Sequence, residues 1–160
     1  MKRLWAPWRM KFVQASPPEG CVFCEVQKQT DDAHNLVVWR GEKAFVILNR
    51  FPYTSGHLMV VANLHHPSFE DLEPACRAEM MELAARGMSV LRKVYRPDGF
   101  NMGANVGESA GAGIPGHAHL HVVPRWTGDA SFMLTLAETK VMPEALEETY
   151  RRVREEWTKH

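Results

Sequence analysis

No stretch of the 160 residues approaches the ~20 consecutive apolar positions that a membrane-spanning helix needs, so no such helix is expected. Excess charge is missing too. Lys plus Arg and Asp plus Glu both number 19, which argues against a protein that works by coating nucleic acid, and any phosphate it handles must be gripped locally. Cysteine is scarce, with Cys21, Cys24 and Cys76 too few and too unevenly spaced for a secreted disulfide scaffold. The close pair fits a metal or redox site in a reducing compartment. Lys2 and Arg3 could open a signal peptide, but Pro7, Arg9 and Lys11 interrupt it before an apolar segment develops, so a cytoplasmic protein is expected. Internal repeats and low-complexity segments are also lacking. What is present is 45% apolar residues in a length that buries roughly two thirds of its unfolded surface, which predicts one globular domain over residues 1–160.

The order of patterns predicts α+β. An aromatic, basic leader, Arg3-Leu4-Trp5-Ala6-Pro7-Trp8-Arg9, is cut off by the loop Ser16-Pro17-Pro18-Glu19-Gly20. Residues 1–20 therefore read as an arm packed on the domain or on a second subunit. Leu36 to Arg40 and Lys43 to Asn49 are β-rich and joined by Gly41-Glu42, a hairpin, and a third strand follows at His57 to Ala62. From Asp71 to Tyr95 the apolar residues Cys76, Met80, Leu83, Ala84, Met88, Leu91 and Val94 recur at helical spacing, which makes Cys76 a core thiol. After the turn Arg96-Pro97-Asp98-Gly99 come a strand at Phe100 to Asn105, a Gly- and Ala-rich loop from Gly107 to Gly116, and a strand at His117 to Trp126. A helix over 142–158 closes the pattern, with Pro143 in its first turn and Leu146, Tyr150, Val153 and Trp157 as its apolar stripe. The result is an antiparallel sheet with helices on one side.

Three of the eight histidines alternate in five residues, His117-Ala118-His119-Leu120-His121, and a strand's period of two puts all three rings on one face. Imidazole is largely neutral at pH 7, so such a row suits either phosphorus chemistry, with one ring as nucleophile, or a metal ion. The glycines of the loop before it let backbone N–H groups approach an anion closely, which nominates Gly107 and the hydroxyl of Ser109 as a phosphate cradle. Cys21-x-x-Cys24 has the spacing for two thiolates on one tetrahedral metal, with two further ligands drawn from elsewhere.

These residues carry a family resemblance. The run His117 to Val123, with Asn49 through Gly56-His57 upstream, resembles the histidine triad superfamily of nucleotide hydrolases and transferases. Together with Trp5-Ala6-Pro7-Trp8-Arg9, Cys21-Val22-Phe23-Cys24 and Pro124-Arg125-Trp126-x-Gly128-Asp129, it is similar to the branch containing diadenosine tetraphosphate phosphorylases, also called ATP adenylyltransferases. The resemblance runs from Leu4 to about Pro143 and implies a HIT-like fold, with one long helix packed on an antiparallel sheet and a C-terminal helix. It also implies roles. His119 would attack the α-phosphorus to form a nucleotidyl-imidazole, His121 would hydrogen-bond the phosphate or bridging oxygen, and His57 would assist from the neighbouring strand. Asn49 would hold the ribose hydroxyls, although by itself it reads equally well as a turn residue. Several hydrolases of the superfamily carry glutamine where this chain has Gly113, which leaves Asn101 and Asn105 as candidates for the leaving-group contact.

The resemblance further implies a structural zinc on Cys21, Cys24, His65 and His117, with His66 as an alternative to His65, and no organic cofactor. Dinucleoside polyphosphates are the implied substrates, phosphate or water the acceptor, and a homodimer the assembly, with no nucleic-acid or membrane partner. Three competing readings remain: a nucleoside phosphoramidate hydrolase of the same fold, a metallohydrolase holding its ion on the three histidines, and a nucleotide-binding regulatory module without turnover.

Overall fold

Glycine, proline and β-branched residues partition this chain into a few short strands and one long helix. The computed structural model describes residues 20–129 and 144–159; the tryptophan leader and Pro143 lie outside them. Among the described residues the elements are α1 (Val22–Lys28), α2 (Asp32–Asn35), β1 (Val37–Arg40), β2 (Ala44–Leu48), β3 (Leu58–Ala62), α3 (Pro74–Tyr95), β4 (Gly99–Gly103), β5 (His119–Arg125) and α4 (Leu146–Trp157), with a 3-10 turn at Glu108–Ala110. The strands form one antiparallel sheet in the order β1-β2-β3-β5-β4. This is the expected α+β arrangement.

Strand partners share a face. Met59 pairs with His121 and Val61 with His119, while Ile47 and Phe45 pair with Met59 and Val61 in turn, so the histidine face continues as buried apolar side chains across β3 and β2. The opposite face carries Leu58, Val60, Leu120 and Val122. There α3 approaches closely: a Cβ on Gly87 would stand 3.1 Å from Leu58 and 3.6 Å from Trp157, the fully buried last residue of α4. The Arg86 guanidinium lies 4.8 Å from the Trp39 ring and 5.0 Å from that of Trp157, which ties β1, α3 and α4 together.

Several expectations need correction. Helix α3 begins at Pro74 rather than Asp71, because proline suits a first helical position and forces the preceding Glu73 into an extended conformation (ψ 147°). The hairpin turn spans residues 41–43, closed by the Gly41 N–H on the Ala44 carbonyl at 2.8 Å. Glu79 of α3 fastens that turn, its carboxylate accepting from the N–H groups of Glu42 and Lys43 at 2.8 Å each. Helix α4 begins at Leu146, since Ala145 is extended (ψ 152°), and ends at Trp157. Nor do all helices share one side: α1 lies on the histidine face, with Phe23 against Phe45, His117 and His119. Cys76 is a core thiol, its sulfur donating to the Lys43 carbonyl at 3.5 Å. Among the described residues no helix is long and apolar enough to cross a membrane.

The chain enters β3 through Gly56, whose φ of +82° is one that residues with a Cβ rarely adopt, and a Cβ there would stand 2.9 Å from Leu91 and 3.1 Å from Tyr95. Gly56→Ala should therefore destabilise the fold by roughly 1–3 kcal/mol in urea unfolding, and an unchanged midpoint would contradict this packing.

Candidate active site

The site is built on β5 because its pleat alternates core residues with imidazoles. Ala118, Leu120 and Val122 are buried, and the rings of His117, His119 and His121 lie along the other face, with His119 and His121 edge to face at 5.0 Å. The ladder starts at His119, two residues later than expected. His117 is nevertheless held at its mouth, since Ala118 donates to the His66 carbonyl at 2.6 Å and accepts from the Ala62 N–H at 3.3 Å. His57 enters from the head of β3, its Nε2 2.9 Å from Nδ1 of His121.

The partners set the tautomers, because a carbonyl oxygen only accepts. Nδ1 of His119 is 2.7 Å from the His117 carbonyl, so Nδ1 carries the proton and Nε2 keeps its lone pair. Nε2 of His117 is 2.7 Å from the Ala62 carbonyl, so here it is Nδ1 that keeps the lone pair. The Tyr53 N–H donates to Nδ1 of His57 at 3.1 Å, which makes His57 Nε2 the donor to His121 Nδ1 and leaves His121 with its own N–H on Nε2. Burial disfavours the charged imidazole and holds His117 and His119 below the usual histidine range. His121 is pushed down to about 4, by burial first and then by the neighbouring His119.

The same logic builds a second cluster. Cys21 caps the start of α1 and Cys24 lies one turn on, so their thiols converge on the His117 ring from above. The two sulfurs are 3.2 and 3.7 Å from its Nδ1, and Cys24 is 3.4 Å from Nδ1 of His65. All four ligand atoms lie within 4.8 Å of one another. Tetrahedral zinc with bonds of about 2.0–2.3 Å spaces its ligands about 3.3–3.8 Å apart, so the donors fit such an ion with little adjustment. The His117 lone pair facing the thiols and its other nitrogen fixed on a carbonyl are what a metal-bound histidine requires. His66 is not in this group, and neither are His119 and His121.

The other nominated residues divide. Asn49 donates its N–H to the His57 carbonyl at 2.9 Å, while its side-chain oxygen accepts from the Phe51 N–H at 2.9 Å and opens the turn leading to His57. Asn101 pairs with Val123 and so sits on the histidine face, but its side-chain Oδ1 accepts from Arg125 at 2.6 Å. Arg125 also makes a bidentate pair with Asp129 at 2.6 and 2.7 Å, which gives the Pro124-to-Asp129 motif a structural role in closing the turn after β5. Asn105, Gly107 and the exposed Ser109 occupy the loop between β4 and β5, and among the described residues no hydrogen bond joins them to the histidines. Gly107 and Gly111 serve its backbone, with φ of +81° and +83°.

Two residues at the site were not foreseen. Phe23 stands 5.4 Å from the His117 ring and 5.2 Å from that of His119, walling the face between the two clusters. Tyr53 lies 4.6 Å from the His57 ring and stacks on His121 at 6.1 Å. Phe23 could have been noticed as the aromatic residue inside the Cys-x-x-Cys pair; Tyr53 has no periodic signal, only its place in the turn before His57.

Fold, paired histidines and metal-type cluster together define a known class, and the chain belongs to the HIT domain family, whose pattern matches residues 30–128. It is 39% identical over 168 residues to the AP-4-A phosphorylase of Mycobacterium tuberculosis, covering 99% of this chain and 86% of that one. It is 28% identical over 95 residues to the asymmetrical bis(5'-nucleosyl)-tetraphosphatase of Schizosaccharomyces pombe, covering 59% of this chain and 52% of that one. In structure it resembles a Zn-bound histidine triad family protein from Mycobacterium smegmatis, with a TM-score of 0.71, 30% identity, and coverage of 88% of this chain and 94% of that one.

The buried imidazoles predict an acid-side loss of stability. The unfolded chain takes up protons near pH 6.5, whereas His121 in the fold resists them until about pH 4, so the stabilisation is complete above pH 6.5 and falls as pH drops toward 4. His121→Asn should flatten this slope in urea midpoints compared across the window, and an unchanged slope would contradict the assignment.

Proposed function

We propose that this chain is a nucleotidyl-transferring enzyme that splits dinucleoside polyphosphates of the diadenosine tetraphosphate type, with His119 as nucleophile. The observation that carries the reading is the bond from His119 Nδ1 to the His117 carbonyl, which leaves an unprotonated Nε2 on a buried imidazole. The 39% identity with an AP-4-A phosphorylase supports the substrate class.

In this mechanism Nε2 of His119 attacks the α-phosphorus, a nitrogen–phosphorus bond forms, and the bond from that phosphorus to the bridging oxygen breaks. The leaving nucleoside polyphosphate departs with the electron pair. The Nε2–H of His121, aligned by His57 and through it by the Tyr53 N–H, donates to the phosphate or departing oxygen and stabilises the charge developing there. Inorganic phosphate or water then attacks the nucleotidyl-His119 phosphorus, the phosphorus–nitrogen bond breaks, the acceptor gives up its proton to the solvent, and the imidazole leaves with its Nδ1–H still hydrogen-bonded to the His117 carbonyl. Phosphate gives ADP and ATP from diadenosine tetraphosphate; water gives AMP and ATP. A metallohydrolase on the three histidines is disfavoured, because their lone pairs serve different ends: that of His117 faces the thiols, and that of His121 Nδ1 accepts from His57.

Zinc is the ion we assign to Cys21, Cys24, His65 and His117, where it would supply a cross-link between α1, the end of β3 and the start of β5. Elemental analysis should find about one zinc per chain, lost in Cys24→Ser with a lower melting temperature; wild-type protein that takes up no zinc overturns the assignment.

The catalytic reading is tested by incubating the protein with diadenosine tetraphosphate, with and without phosphate, and separating the products. ADP plus ATP only with phosphate marks a phosphorylase, AMP plus ATP in either case marks a hydrolase, and no cleavage removes this substrate class. His119→Ala should abolish turnover while nucleotide binding persists, and mass spectrometry should trap a nucleotidyl adduct on His119 of the wild type. Substantial turnover by His119→Ala would refute the nucleophile.

A further inference from the structure

We propose that Tyr53 is the platform for the second nucleoside, the one that leaves, and that its stacking lets the site prefer dinucleotides over mononucleotides. The inference rests on the reading of His119 and His121 given above and adds to it a binding subsite.

Tyr53 sits in the turn before β3 and is 49% exposed, although its ring packs against the buried His57 and the half-buried His121. Its ring lies 4.6 Å from that of His57 at 36° and 6.1 Å from that of His121 at 27°, so it covers the pair through which the His121 N–H is aimed at the departing oxygen in the reading above. His119 stands on the other side of His121, 5.0 Å ring to ring, and Phe23 lies against His119 in turn. The order of rings is thus Phe23, His119, His121, Tyr53. In-line displacement at the α-phosphorus sends the leaving chain away from His119, past His121, and so toward Tyr53. A polyphosphate there ends in a nucleoside whose base has a flat π-face, and a half-exposed aromatic ring is the group that receives such a face without reading its identity.

The backbone and side chain of Tyr53 have separable tasks, which makes the proposal testable. Its N–H fixes the His57 tautomer and is retained in any residue but proline, so Tyr53→Ala removes the ring and keeps the donor. Binding is measured by calorimetry in the His119→Ala protein, which cannot turn over, with two ligands of equal phosphate number: diadenosine tetraphosphate and adenosine 5'-tetraphosphate. Adding Tyr53→Ala should weaken diadenosine tetraphosphate roughly 5- to 100-fold and adenosine tetraphosphate less than about twofold, while Tyr53→Phe leaves both close to the parent. Equal weakening of the two ligands, or none, overturns the proposal, since the ring would then only support the histidines or do nothing. A His119→Ala protein that binds neither ligand refutes the catalytic reading instead, and the two failures are distinct. The adenosine tetraphosphate arm also reports whether the variant has folded.

Discussion

One carbonyl group organises this molecule's chemistry. The backbone oxygen of His117 holds the Nδ1 proton of His119 at 2.7 Å, and that single contact decides which nitrogen of the neighbouring ring has a free lone pair. The contact is local, between residues two apart, but it works only if the His117 peptide is fixed in orientation. Three further bonds fix it: His117 Nε2 to the Ala62 carbonyl, the Ala118 N–H to the His66 carbonyl, and the Ala62 N–H to the Ala118 carbonyl. The chain is therefore anchored at the mouth of β5, where the His117 ring faces the thiols and the His119 ring follows on the same face of the sheet.

The sheet makes this affordable. Burial is what keeps the imidazoles neutral, and burial of so many polar rings is tolerable only because each finds a partner: carbonyls for His117 and His119, another imidazole and an N–H for His57. On the far side, α3 presses Gly87 against Leu58 and α4 seals the layer with Trp157, so β3 and β5 are backed by packed apolar surface. That backing holds the imidazole row in a fixed geometry.

Much of this was legible in the residues. The alternation from His117 to His121 could be read as one face of a strand because a two-residue period needs no knowledge of partners, and the long apolar helix was equally plain apart from the start imposed by Pro74. The metal-type cluster was not readable from spacing alone. His65 lies 41 positions from Cys24 and His117 lies 96 from Cys21, so only the family resemblance joined them. Helix α1, seven residues long, is too short to show a period, and the approach of Tyr53 to His121 follows from the pairing of β3 with β5, which no local pattern encodes. The Asn101 side chain reads as available until the sheet sets Arg125 beside it.

The strand order has a consequence in time. Strand β5 is the last strand in the described chain yet sits between β3 and β4, both made earlier, and in the finished sheet those two never touch. During synthesis the gap between them can be filled only after β5 has emerged, so neither imidazole cluster can be completed before that point. Until then a nascent chain holds Cys21, Cys24, His57 and His65 apart from their partners on the last strand, and a product truncated before it lacks both imidazole clusters. The site thus arrives with completion of the sheet, not before it.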